Sequence, residues 1–121
     1  PELRDVEHKH EYYDEFVKIL NEFCDKNKIN YDEVLRVCVN FTYHNGKRLE
    51  SPVHVDHEFE HEQLIVYLNQ PMDRQSFTVV LDENKSKIAP RKYRGVSFGK
   101  IEHYHYYPKV GDRYVLIFTY R

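Results

Sequence analysis

Tryptophan is absent from the 121 residues, cysteine occurs twice, and neither sign of charge dominates: 18 Lys+Arg stand against 20 Asp+Glu. Each shortage excludes something. Balanced charge removes the electrostatic footprint of a nucleic-acid or membrane-surface binder. No apolar run approaches the roughly 20 residues that span a bilayer, and the N-terminal region lacks the apolar stretch of a secretory signal. A cytoplasmic protein without a membrane partner is expected. Cys24 and Cys38 could pair, but each stands in an apolar-periodic segment, where a reduced, buried thiol in a reducing compartment is the expectation. No repeat, low-complexity tract or linker divides the chain, so one domain over 1–121 is expected. The chain starts at Pro1 and stops inside an apolar run at Arg121, so trimmed ends or a missing loop are expected too. Oligomeric state is not legible.

Against these shortages stand eight histidines and eleven tyrosines. Histidine is the commonest metal ligand among side chains, so their placement matters. Between residues 11 and 25, Tyr12, Phe16, Ile19, Leu20 and Phe23 recur at helical spacing and predict one amphipathic helix. A short helical turn is expected over 32–35, after Asn30 as cap. From Arg36 the period becomes two, with Val37, Val39, Phe41 and Tyr43 alternating with Cys38, Asn40 and Thr42, which predicts a strand. The Asn45-Gly46 turn closes it. Further strands are expected over 52–56, 63–69, 77–81, 87–89, 95–98, 101–106 and 114–120. Eight short strands with no helix between them predict a mainly β fold, an eight-stranded jelly roll (double-stranded β-helix) over about 36–120, preceded by the helix.

Within the second of these strands, Ser51-Pro-Val-His54-Val-Asp56-His57 sets an imidazole and a carboxylate two apart, hence on one face of a strand. A third metal ligand is expected from a distant strand lying alongside, and Ile101-Glu-His103-Tyr-His105 offers two histidines on one face. Two histidines and a carboxylate occupying one triangular face leave three positions open, the arrangement suited to non-haem Fe(II). His-x-Asp alone also fits a surface histidine near a proline turn. His57 and His61 are expected to be solvated polar residues. His54-Val-Asp56-His57 overlaps part of the His-x-His-x-Asp-His signature of the metallo-β-lactamase fold, but Pro52 fills the first histidine position and the helices of that fold are missing.

The C-terminal run His103-Tyr-His-Tyr-Tyr-Pro108-Lys-Val110-Gly111-Asp-Arg113-Tyr-Val-Leu-Ile-Phe adds specificity. It resembles the closing hairpin of the 2-oxoglutarate/Fe(II) oxygenases, where a distal iron-binding histidine is followed, past a Pro/Val/Gly turn, by an arginine on the last apolar strand. Ile65-Val-Tyr67-Leu-Asn69 is similar to that family's "YLN" strand, and Arg36–Tyr43 to the strand preceding His-x-Asp. The resemblance covers roughly residues 34–120, in order, and points to the prolyl-hydroxylase branch.

It implies that His54, Asp56 and His103 hold Fe(II). It implies that Arg113 and Tyr67 bind the far carboxylate of 2-oxoglutarate, with Tyr43 a third contact toward the chelating end. It implies a dioxygenase that consumes O2, with ascorbate an optional accessory, and releases succinate and CO2 while hydroxylating a C–H bond. The substrate would be a protein or peptide side chain such as proline, or a small molecule, met by the loops 45–52 and 70–75. His103 is preferred to His105 as distal ligand because it lies ten residues before Arg113; His105 is expected nearer the barrel mouth. The chain departs from the family at Asp73–Thr78, where many members carry Gly-Gly, and at Val115, often a hydroxyl residue there. A non-catalytic jelly roll that binds a metal or small acid, and a cupin-type metal enzyme, are the alternatives. An arginine past the last ligand favours the oxygenase.

Overall fold

The computed structural model describes residues 11–44, 46–47 and 49–121. The chain divides after Asn30 into two compact units. In the first, helix α1 spans Tyr13–Lys26 and buries Leu20 and Cys24. Asp14 and Glu15 in its first turn and Lys26 in its last complement the helix dipole. It ends where Lys28 takes a left-handed φ of 56° and Ile29 N–H returns to the Cys24 carbonyl at 2.9 Å.

The second unit, Tyr31–Arg121, holds seven named strands among the described residues: β1 Val34–Tyr43, β2 Glu62–Tyr67, β3 Thr78–Val80, β4 Ser86–Ile88, β5 Gly95–Phe98, β6 His103–His105 and β7 Asp112–Tyr120. They form two antiparallel sheets, ordered β1-β7-β2-β5 and β4-β3-β6. Position in the sheet sets burial. The central strands β2 and β7 are mostly buried, whereas edge strand β1 has only half-buried and exposed residues. Ile65, Tyr67 and Val115 form a buried cluster, with Val96, Phe98 and Ile117 packed against it.

Two sequence expectations change. Residues 32–35 do not make a helical turn, because the Asp32 and Glu33 amides both donate to the Arg121 carbonyl, at 2.6 and 3.0 Å, and β1 begins at Val34. The expected strand over 52–56 reduces to one isolated bridge, His54 to His103, with another, Glu50 to Tyr106, just before the segment. Pro52 lacks an N–H and cannot support a continuous ladder there. Of the expected Asn45-Gly46 turn, Asn45 lies outside the described residues, as does Arg48 of the 45–52 loop; Gly46 has φ 78°. The closing turn depends on Gly111, at φ 70°, where a Cβ would lie 3.1 Å from Met72. Asn69 fastens the following strand: its amide donates to Asp112 O at 3.0 Å and accepts from Tyr114 N at 3.1 Å.

Candidate metal and small-acid site

The two sheets enclose a cavity of about 250 Å³ lined from both sides. One end is built on the bridge between His54 and His103, whose backbones exchange N–H···O bonds of 3.1 and 3.0 Å. That pairing brings the two imidazoles to 4.5 Å between ring centres. Asp56, two residues past His54, sets one carboxylate oxygen 3.2 Å from His54 Nε2 and 3.3 Å from His103 Nε2. One candidate ligand atom from each residue lies within 4.8 Å of the others.

The hydrogen bonds of the rings define their tautomers. His54 Nδ1 lies 2.8 Å from the Pro52 carbonyl and His103 Nδ1 2.9 Å from the Ile101 carbonyl. A carbonyl only accepts, so each Nδ1 carries the proton, and in the neutral ring each Nε2 turns a lone pair toward Asp56. Two lone pairs and a carboxylate facing one point form a donor set for a cation. With no metal bound and a proton on Nε2, the His103 ring donates to Asp56, and that bond holds the carboxyl below its usual range against the opposing effect of burial. The Phe98 ring meets His103 edge-on at 5.0 Å and walls that side. His54 remains 44% exposed, which leaves the cluster open on one flank.

Arg113 defines the other end. It is 3% exposed, donates from Nη2 to Thr78 Oγ1 at 2.8 Å, and lies over the Tyr67 ring at 5.4 Å. Tyr67 Oη is 2.6 Å from the same Thr78 oxygen. Arg113 Nε has no partner, and no carboxylate among the described residues pairs with the guanidinium. Burial pushes its pKa down, and the Tyr67 hydroxyl opposes that. A buried cation facing a cavity without a counter-charge is a site for an anion.

His103 stands in the candidate metal cluster with His54 and Asp56, and His105 does not. Strand alternation does put both on the cavity, but His105 pairs with Thr78 and belongs to the Arg113 end. His105 is half-buried, it also borders the open surface pocket beside Tyr43 and Tyr107, and its Nε2 is shut from water. Burial, then the Arg113 charge, pushes its pKa to about 3, so it is neutral. Tyr43 is not brought to the cavity. Arg36, Cys38 and Asn40 are the β1 residues that line it, and Tyr43, of opposite parity, is 68% exposed. Tyr43 was expected there from the resemblance of its strand to the family's, which carries no information on which face of β1 turns inward.

His61 is 4% exposed rather than solvated, its Nδ1 on the Phe59 carbonyl at 2.8 Å. Half-buried His57 stacks on Phe59 at 4.8 Å and meets Thr119 Oγ1 at 3.2 Å. Neither is in the cluster of His54, Asp56 and His103. Cys24 is buried and Cys38 half-buried, and both are free thiols. The cavity residues that carried no functional expectation include Thr78 and the fully buried Gln63. Gln63 was readable, since it precedes Tyr67 by four on one strand and shares its face. Among the described residues, no helix is long and apolar enough to cross a membrane.

Neither protein-family models nor curated proteins give a match to this chain. Solved structures do. The viral collagen prolyl hydroxylase of Paramecium bursaria Chlorella virus-1, as a 2OG complex, aligns over 96% of this chain and 75% of its own, with TM-score 0.71 and 22% identity. A truncated form of the same hydroxylase gives TM-score 0.62 and 20% identity, over 93% of this chain and 69% of its own. A cupin protein from Bacteroides fragilis gives TM-score 0.52 and 14% identity, over 81% and 72%. The mainly β unit thus has the jelly-roll fold that these oxygenase and cupin structures share.

Proposed function

We propose that this chain is an Fe(II)- and 2-oxoglutarate-dependent dioxygenase that hydroxylates a C–H bond, with a protein or peptide side chain such as proline as the favoured substrate. One observation carries the reading: a two-histidine, one-carboxylate donor set and a buried arginine lacking a counter-ion line the same small cavity. The residues fit both groups. His54, Asp56 and His103 supply the imidazole and carboxylate donors of a facial iron site with open positions. Arg113, supported by Thr78 and Tyr67, supplies the counter-charge for a carboxylate. Bound together, Fe(II), 2-oxoglutarate and O2 supply oxidative decarboxylation to succinate and CO2, coupled to hydroxylation.

The chain's own residues bind, orient and shield. The carbonyls of Pro52 and Ile101 each take an Nδ1 proton, which leaves Nε2 as the ring atom available to a metal. Thr78 Oγ1 accepts from Arg113 and meets Tyr67 Oη, fixing the guanidinium before an acid arrives. Ile65, Val115 and Ile117 supply apolar wall between the two ends and limit water there. The exposed flank at His54 and β1 leaves room for a substrate. The likeness to a prolyl hydroxylase supports a peptidyl substrate by analogy of fold.

A cupin-type small-acid binder is the second reading, favoured by the fold shared with a cupin protein. Anaerobic titration with Fe(II) and then 2-oxoglutarate separates the two. A visible metal-to-ligand charge-transfer band that saturates with 2-oxoglutarate, followed by succinate release on admitting O2 with a proline-containing peptide, supports the dioxygenase. Metal binding without such a band would leave the cupin-type reading.

A further inference from the structure

Gln63 is a fully buried residue, 0% exposed, and among the described residues neither Nε2 nor Oε1 has a hydrogen-bond partner. A primary amide shut from water with both polar atoms unmatched is rare in native interiors, and such a group points to an absent partner. Gln63 lines the same cavity as the metal cluster and Arg113. Its own carbonyl is occupied, accepting from Ser97 Oγ at 2.7 Å, so the strand holds the backbone while the side chain stays unmatched.

Register assigns the amide to one end of the cavity. Gln63 pairs across β2–β5 with Phe98 and across β2–β7 with Thr119. Phe98 is the residue whose ring lies on His103, and the Thr119 hydroxyl meets His57, the neighbour of Asp56. Gln63 therefore stands between two residues that touch the metal cluster or its flank. Arg113 lies six residues away along β7 from Thr119, at the far end with Thr78 and His105.

We infer that the Gln63 amide grips the metal-chelating end of a bound 2-oxo acid, donating from Nε2 to its carboxylate, while Arg113 holds the opposite carboxylate. This rests on the cosubstrate reading above. A dianion with an acid group at each end needs a polar contact at each, and Arg113 reaches one. The β1 tyrosine expected near the chelating end points out of the cavity. Of the other polar side chains at that end, Arg36, which pairs with Thr119 and lines the cavity, is exposed, and the Thr119 hydroxyl is engaged by His57. Gln63 is the buried, unengaged donor. It acts as a positioning residue, setting the orientation in which the acid chelates.

The test uses the whole chain loaded anaerobically with Fe(II), and two acids: 2-oxoglutarate, and 2-oxobutyrate, which has the chelating end but no far carboxylate. Gln63→Met removes all hydrogen bonding at nearly constant volume. Gln63→Glu keeps the shape, removes the donor and adds a like charge. Both should weaken binding of both acids by ~10-fold or more, as expected for loss of a hydrogen bond to a charged group, and shift the charge-transfer maximum. Gln63→Glu should be the weaker binder. Arg113→Met should weaken 2-oxoglutarate and spare 2-oxobutyrate. Thermal melts establish folding, and either isosteric variant suffices for the comparison. If the wild type shows the band and a folded Gln63 variant matches it for both acids, the inference is wrong and the cosubstrate reading stands. An effect restricted to 2-oxoglutarate would also overturn it, moving Gln63 to the far carboxylate. If the wild type shows no band, the cosubstrate reading itself fails and carries this inference with it.

Discussion

His54 and His103 exchange both of their backbone hydrogen bonds as an isolated bridge outside any continuous ladder. The bridge holds the two imidazoles side by side, and each ring is then locked by a carbonyl two residues before it, Pro52 for one and Ile101 for the other. The same local device, repeated on two distant segments, turns both Nε2 atoms on Asp56. The orientation of the three candidate donor groups is therefore set by backbone geometry as much as by residue type.

His54→Ala and Asp56→Ala should accordingly abolish iron binding and iron-dependent 2-oxoglutarate decarboxylation while leaving the protein folded. Bound iron, succinate release and far-UV circular dichroism measure the three properties. Wild-type turnover with metal retained in either variant would remove that residue from the ligand set.

Arg113 should show function and stability in opposition. Arg113→Ala should raise the 2-oxoglutarate concentration required by ~10–100-fold, since truncating one partner of a buried charged pair costs roughly 2–5 kcal/mol. Arg113→Met, tested without ligand, should stabilise the fold by ~1 kcal/mol, because an unpaired buried cation costs more than an apolar side chain of similar length. Urea unfolding of the ligand-free proteins reads the second effect. A destabilised Met variant would mean that the bond to Thr78 outweighs desolvation.

Tyr43, expected from sequence to touch the cosubstrate, should be dispensable for it. Tyr43→Ala should leave 2-oxoglutarate affinity within ~2-fold, the scatter expected for an exposed residue that makes no contact with the ligand. A loss comparable to that of Arg113→Ala would show that β1 shifts to bring the phenol inward on binding.

Acid stability should carry a contribution from the turn between β3 and β4. The Ser86 hydroxyl donates to Asp82 Oδ2 at 2.8 Å, and the Ser86 and Asn84 amides donate to Oδ1, both at 3.1 Å. Led by the Ser86 hydroxyl, these bonds hold the carboxyl below its ordinary value. The folded carboxylate is thus more acidic than the unfolded one, so its stabilisation is complete above about pH 4 and is lost as pH falls through the folded value. The stability difference between wild type and Asp82→Asn, from urea midpoints, should be larger at pH 6 than at pH 2.5. A difference independent of pH would mean that the turn does not depend on the charge.

The sequence by itself determined the parts governed by local rules. Alternation from Arg36 gives β1, apolar spacing gives the helix, and the two-residue interval between His54 and Asp56 puts a potential ligand pair on one side of the chain. These follow from periods of two and 3.6 residues, which need no knowledge of neighbours. The tertiary structure decided what depends on partners far away. Residues 32–35 read as a helical turn until the Arg121 carbonyl claims two of their amides. Residues 52–56 read as a strand until Pro52 and a single bridge to β6 leave them without a ladder. Tyr43 and Asn40 are equally plausible cavity residues by type, and only the pairing of β1 with β7 fixes which parity faces inward. The same holds for Gln63 and Thr78, polar residues in apolar strands whose burial is set by the sheet opposite them. Local sequence fixes the direction a side chain takes relative to its neighbours, but which direction is inside is a property of the closed fold.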